Sequence, residues 1–328
     1  MPRRCTAQAR QAPPHANSGV LGGLSRHRQY NRPIARELML DAETRDIGQR
    51  IANCASVIHA DVLLHEDLQP EVNLKAAKVC NTRLCPFCEW RRTRAWRKRL
   101  CTGLEALYGE QPKLRGIFLT LTVRNVPLEA LGDQLDEMNS AWRRLTARSF
   151  FPSQFWFRRT EVTVGANACG SGYMAHPHFH VLLMVKPSYF SHGYVKQSEW
   201  QKQWMDSARL DYAPVIDVRT VKANSRSGSS SAGDAKRAVL EAAKYAAKAT
   251  ELMELGPAIT TLHHQLRGRR LYATSTALRK FIKTGDISPD ELMDNDAKPL
   301  PEGTACVPVV AQWFEDLNEY LSTDCPGL

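Results

Sequence analysis

A chain of 328 residues, 43% of them hydrophobic, can build a substantial core as two domains or as one domain with a large appendage. It contains no apolar run near the roughly 20 residues of a membrane helix, and no apolar segment follows the N-terminal arginines, so it reads as soluble and cytoplasmic, without a secretory signal or membrane partner. A net charge of +10 points to a polyanionic partner, and nine cysteines over this length do not indicate a disulfide scaffold.

Residues 1–40 mix Arg, Pro, Gly, Gln and His without a sustained period and read as a flexible basic arm. Residues 41–64 are spaced irregularly but helically, with Cys54 among them. Cys80, Cys85 and Cys88 follow at C-x4-C-x2-C spacing, which supplies three ligands of a tetrahedral zinc site. Cys54 is the first choice for the fourth ligand, with His59, His65 and Cys101 in reserve; a buried cluster of reduced thiols is the plainer alternative. The helix expected beyond carries Arg91, Arg92, Arg94, Arg97, Lys98 and Arg99. Such a run is ordinarily a solvated helix face, but beside a metal cluster it reads as a surface for nucleic acid.

Residues 115–124 alternate as a strand, and Leu128, Leu131, Leu135, Met138, Trp142 and Leu145 recur as the apolar stripe of a covering helix. Residues 155–164 form the next strand, with Arg159 and Glu161 on one face. A Gly-rich turn joins it to residues 176–185, so the two are expected to pair as a hairpin. There His176, His178 and His180 share a face, with imidazoles roughly 7 Å apart along the strand, close enough for two to grip one ion. Glu161 would face that ion or else pair with Arg159 or a neighbouring arginine. The plainer reading of the histidines is a polar strand edge.

Trp200, Trp204 and Ala208 mark a short helix with core tryptophans, and residues 215–221 form a further strand. After a Ser/Gly-rich loop, a helix is expected from Asp234 to about Leu255, stopped by Gly256-Pro257. On it Glu241 and Tyr245 are i,i+4 neighbours, with Lys244 and Lys248 beside them. A phenol next to a carboxylate and two ammonium groups is a nucleophile with an activator at hand, although Glu241 with either lysine could be a simple surface ion pair. Arg267, Arg269 and Arg270 form a second basic cluster, residues 278–283 a small helix, and the acidic tail holds one amphipathic segment around 313–321.

Three stretches, FLTLTVRN (118–125), HPHFHVLL (176–183) and EAAKYAAK (241–248), resemble in content and order the motifs of plasmid rolling-circle replication initiators, within the HUH endonuclease superfamily. The class they resemble uses one tyrosine and a glutamate four residues before it. The cysteine cluster, the Trp200–Trp204 segment and LRGRRLYATS (266–275) are similar too, so the resemblance spans roughly residues 50–280. It implies a strand- and site-specific DNA nickase. His178 and His180, with Glu161 as the candidate third ligand, would bind Mg²⁺ or Mn²⁺. Tyr245 would attack the scissile phosphate, Glu241 would activate water at termination, and Asn125 would lie near the site. Lys248 joins the candidate catalytic set, and Arg91, Arg92, Arg94, Lys244, Arg269 and Arg270 the DNA-binding one. Partners would be plasmid origin DNA, as single strand extruded from supercoiled duplex, with host helicase and polymerase as further candidates.

The expected fold is α+β: an antiparallel sheet with helices on one face, of the ferredoxin-like palm type, preceded by a zinc-knuckle region. The expected divisions are a basic arm (1–40), a zinc-binding helical region (41–110), the endonuclease domain (111–285) and an acidic C-terminal tail (286–328). The rival readings are a single-strand transposase or relaxase of the same superfamily and a zinc-dependent DNA-binding regulator without nicking activity.

Overall fold

Residues 155–185 form a long hairpin, from which the main sheet is built in a computed structural model that describes residues 21–64, 71–167, 172–221, 249–285, 287–293 and 305–322. The described residues divide between a larger unit, drawn from 30–54 and 79–296, and a smaller one, drawn from 1–29, 55–78 and 297–328.

In the larger unit, β5 (Phe155–Ala166) and β6 (Tyr173–Val185) pair antiparallel from end to end, and β3 (Arg115–Thr122) pairs with the other side of β6. With β7 (Ile216–Thr220) and β8 (Tyr272–Thr274) at the edges, the order is β7-β3-β6-β5-β8, and the short β4 (Val126–Pro127) pairs with the start of β6. The period-two alternation then sorts the side chains. Phe179, Val181, Leu183 and Val185 join Ile117, Leu119 and Leu121 in the apolar centre of one face. Helices α5 (Leu131–Thr146) and α7 (Gln197–Ala208) cover it with Met138, Trp142, Leu145, Trp200 and Trp204. Both α7 tryptophans are fully buried, as the sequence spacing predicts, and Trp204 Nε1 donates to the Thr122 carbonyl at 2.9 Å.

The α+β class and the antiparallel sheet are as expected, but helical cover extends beyond one face. Helix α4 (Pro86–Glu110) lays Trp96, Leu100, Leu104 and Leu107 against Phe118, Phe155, Phe157, Leu182 and Met184 on the histidine face. Its approach at Gly103 leaves no space for a side chain: a Cβ there would lie 2.2 Å from Ile282 Cγ1 and 2.8 Å from the Phe281 carbonyl oxygen. Among the described residues, the apolar cover from α4 ends where that face gives way to histidines.

Helices α2 (Asn31–Leu40) and α3 (Arg45–Ala52) pack together, the turn between them tied by Thr44 Oγ1 donating to the Leu38 carbonyl at 2.7 Å. Residues 31–40 are therefore ordered helix, not part of a flexible arm. Helix α8 (Ala249–Glu254) ends before Gly256, whose φ of +49° suits glycine at the expected stop, and α9 (Ala258–Leu266) follows. The last helix of this unit, α10 (Pro289–Met293), is held to α4 by Arg99, which pairs with Glu291 at 2.7 Å, and by Arg91 Nε donating to the Leu292 carbonyl.

The smaller unit corrects the reading of both chain ends. Residues 57–64 and 71–77, within the stretch read as a helical region, are the strands β1 (Val57–Leu64) and β2 (Glu71–Ala77). The acidic tail supplies β9 (Ala305–Phe314) and β10 (Glu319–Ser322), giving an antiparallel sheet of order β10-β9-β1-β2 beside α1 (Gly22–Arg28). The segment around 313–321 is a hairpin turn: Trp313 and Tyr320 are register partners, and the Tyr320 hydroxyl donates to the Ala55 carbonyl at 2.6 Å. β1 pairs with β2, next in the chain, but its other partner β9, some 250 residues further along, is one that no local pattern announces. Among the described residues, no helix is long and apolar enough to cross a membrane.

Candidate metal centres and the basic surface

Register brings the first site together. Glu161 on β5 lies opposite His178 on β6, Arg159 opposite His180, and Thr120 on β3 opposite His180 from the other side. Glu161 Oε2 is 3.1 Å from His180 Nε2 and 3.7 Å from His178 Nε2, and the three side chains are only 11–14% exposed. The three candidate ligand atoms all lie within 4.8 Å of one another.

Each ring is oriented through its other nitrogen. His178 Nδ1 lies 3.3 Å from the His176 carbonyl, and His180 Nδ1 lies 3.3 Å from Thr120 Oγ1. Assigning the proton to Nδ1 in both rings leaves two Nε2 lone pairs directed toward the carboxylate. Burial pushes the His178 pKa down, further favouring the neutral, ligating form. Phe118 stacks on His180 with ring centroids 5.6 Å apart.

Glu161 Oε2 is a buried oxygen that accepts no hydrogen bond. A buried carboxylate oxygen without a donor, facing two imidazoles, is a donor set that fits a divalent cation. The alternative of an Arg159 partner is not what forms: Arg159 points to Glu89 at 3.9 Å and to the Tyr272 ring at 5.5 Å. His176 stands beside the site, its Nδ1 2.7 Å from Asn125 Oδ1.

The second site lies at the start of α4. Cys85 is the helix N-cap, Pro86 takes the first turn, where proline needs no hydrogen-bond partner, and Cys88 follows within that turn. Cys54 arrives from the end of α3 and Cys80 from the segment before the helix, so the first-choice fourth residue completes the set. All four are buried and free of disulfides. Cys88 Sγ lies 3.5 Å from Cys54 Sγ and 3.6 Å from Cys80 Sγ. That is far beyond a disulfide and close to the edge, about 3.8 Å, of a tetrahedron with metal–sulfur bonds of about 2.3 Å.

Crowding splits the thiols. Hydrogen bonding with Cys80 pushes Cys54 up, burial pushes Cys85 up, and hydrogen bonding from Cys54 pulls Cys80 down. A cation at the centre would let all four ionise together, so this donor set fits a soft divalent metal.

The basic residues divide differently from the sequence expectation. Arg91 is 2% exposed and Arg92 9%, and both serve the protein's own packing. Arg92 Nη1 pairs with Glu89 at 2.6 Å and Nη2 donates to Asn81 Oδ1 at 2.9 Å, so the phosphate-holding role read for these two is corrected to a structural one. Arg94 lies 5.9 Å from the Trp90 ring centroid, Arg269 pairs with Asp136 at 2.7 Å, and Arg270 is exposed. Glu241, Lys244, Tyr245 and Lys248 lie outside the described residues. Sequence reasoning missed Arg158, a buried cation on β5 whose only local signal was its place in an otherwise apolar strand face.

Against known proteins, a family model described as "Replication protein" matches residues 71–321. The chain belongs to this family. "Protein rep" of Bacillus amyloliquefaciens is 34% identical over 297 residues, covering 84% of each chain. "Protein rep" of Streptococcus pneumoniae serotype 2 is 31% identical over 283 residues, covering 83% of each, and that of Lactiplantibacillus plantarum 32% over 275 residues, covering 79% of this chain and 84% of the relative. These matches bear out the resemblance to plasmid replication initiators. No solved structure matches the chain.

Proposed function

We propose that this replication protein initiates rolling-circle replication by nicking one strand of its plasmid origin. The observation that carries the reading is the Glu161–His178–His180 cluster, formed on adjacent strands of the sheet. Mg²⁺ or Mn²⁺ held there would polarise a phosphoryl oxygen and stabilise the charge that develops on it. Tyr245 is the nucleophile. Its oxygen forms the new bond to the scissile phosphorus as the bond to the 3′-oxygen breaks. The phenolic proton is lost to a base, the departing oxygen gains one, and the products are a 5′-phosphotyrosine and a 3′-OH primer.

Lys244 and Lys248 would favour the phenolate or hold a phosphate. Glu241 acts later as general base on water for the terminating cleavage, so one tyrosine suffices. The cysteine cluster holds a structural Zn²⁺ that fixes the start of α4. Arg94, Lys244, Arg269 and Arg270 remain the proposed contacts to origin DNA, and the protein would act in the cytoplasm with host helicase and polymerase.

The test is incubation with supercoiled origin plasmid and Mn²⁺. The expected product is a nicked circle carrying the protein on its 5′ end. Tyr245→Phe should yield no such adduct, whereas Glu241→Ala should form it yet fail to release closed circles. An adduct formed by Tyr245→Phe would refute the nucleophile assignment.

A further inference from the structure

A cavity of about 740 Å³ wraps the short β8 edge of the larger unit's sheet. It draws Glu89, Arg92 and Tyr272 from the histidine side, and Asn139, Trp142 and Arg158 from the α5 side. Six arginines line it against a single carboxylate among the described lining residues, Glu89. That carboxylate is already engaged by Arg92 at 2.6 Å, by Arg159 at 3.9 Å and by the Tyr272 hydroxyl at 3.4 Å. The cavity is therefore strongly cationic after its internal pairs are satisfied.

Arg158 makes the cavity more than a basic surface. It is 4% exposed, and among the described residues no carboxylate pairs with it. Its Nη2 donates to the neutral amide of Asn139 at 2.6 Å, its guanidinium lies 4.0 Å from the Phe179 ring centroid, and its Nε has no hydrogen-bond partner. Desolvation alone pushes its pKa down to about 9, the mark of a buried cation lacking an anion. Three further arginines of the lining, Arg143, Arg270 and Arg279, are exposed, as the rim of an anion site would require. The same walls carry the half-buried ring of Trp156, and the volume is ample for a nucleotide.

Position selects the source of the phosphate. Arg158 is three residues from Glu161 on the same strand, roughly 10 Å along it. Tyr272 and Arg159, on the histidine face, are register partners between the metal centre and the cavity. We propose that the cavity receives a nucleotide of the single-stranded DNA engaged at the metal centre, its phosphate on Arg158 and the rim arginines and its base against Trp156. This deepens the origin-nicking reading and rests on it. Base stacking on aromatic walls beside a cationic groove is how single strands are held without reading their sequence.

The test uses the full chain with its structural metal retained and without added Mg²⁺ or Mn²⁺, so that cleavage does not contribute. Binding of a fluorescein-labelled thymidine oligonucleotide is followed by anisotropy across a salt series. The variant replaces two exposed residues together, Arg143→Ala and Arg279→Ala, so that the fold is retained. Its affinity should fall by about tenfold and its logarithmic salt slope by about 0.7 for each phosphate that is no longer neutralised. An iododeoxyuridine-substituted strand should photocross-link to the peptide carrying Trp156. Equal affinity and slope in wild type and variant would overturn the inference while leaving the nicking reading intact. No binding of any single strand by the wild type would overturn both. Should thymidine triphosphate raise the Tm of the wild type but not of the variant, with oligonucleotide affinities equal, the cavity would belong to free nucleotides and the strand assignment would fall.

Discussion

Glu161 is held in a place that only a cation or a proton can make comfortable. Its Oε2 is buried without a hydrogen-bond donor, and the two nearest groups, His178 and His180, present ring nitrogens at 3.7 and 3.1 Å. Glu161→Gln keeps the volume and removes the charge, so Mn²⁺ affinity should drop by at least about a hundredfold, while the melting temperature without metal stays within a few degrees. Thr120→Val, which removes the hydroxyl that orients the His180 ring, should cost about tenfold. Isothermal titration with Mn²⁺ measures both, and wild-type affinity in Glu161→Gln would remove Glu161 from the site. Glu161, His178 and His180 could be read from the sequence because strand alternation is a local rule and a Gly-rich turn announces a hairpin. The contacts from Thr120 to His180 and from Asn125 to His176 depend on register with other strands, which no local pattern encodes.

At the scale of elements, α4 shows how charge misleads when burial is unknown. Its arginines read as a DNA-facing run, yet Arg91, Arg92 and Arg99 are buried and tie the helix to the segments around it. Composition reports that a charge exists, but whether a carboxylate or carbonyl waits for it is decided some 200 residues later in the chain. The Arg99–Glu291 pair makes this measurable. Burial alone would raise the Glu291 carboxyl, but hydrogen bonds from Arg99 and the Ser288 backbone, together with Lys283, outweigh it and bring it down from 4.5 to about 2. A carboxyl with a depressed folded-state pKa adds stability above its unfolded value. That contribution is complete above about pH 4.5 and is lost as the pH falls toward about 2. Glu291→Gln should therefore lower Tm at neutral pH and flatten the fall in Tm between those limits. A wild-type slope in that variant would show that α10 is held by packing alone.

Across the whole molecule, the pieces that local sequence could not join are strands with distant partners and ligands delivered by separate segments. The pairing of β1 with β9 was unreadable because β9 lies near the other end of the chain, whereas Cys54 could be chosen because a tetrahedral site with three spaced cysteines demands a fourth. The proposed zinc would cross-link the end of α3, the segment at Cys80 and the first turn of α4, the helix that covers half of the histidine face. Unlike a zinc finger, the larger unit has an apolar core of its own, so metal loss should weaken it without unfolding it outright. Removing one ligand of a buried set costs about 3–5 kcal/mol, which for a unit of this size corresponds to a fall in Tm of about 6–10 °C. Cys88→Ser should show that fall and lose bound zinc, and strong chelation of the wild type should reproduce it. Cys101→Ser, a half-buried thiol on the same helix but outside the cluster, is the matched control and should retain both metal and Tm. Replacement of the metal by Co²⁺ should give the visible bands of a tetrahedral thiolate site in wild type and in Cys101→Ser, and lose them in Cys88→Ser. If Cys88→Ser melted with the control and kept its metal, the four sulfurs would be no more than a buried reduced cluster, and the start of α4 would owe its position to packing.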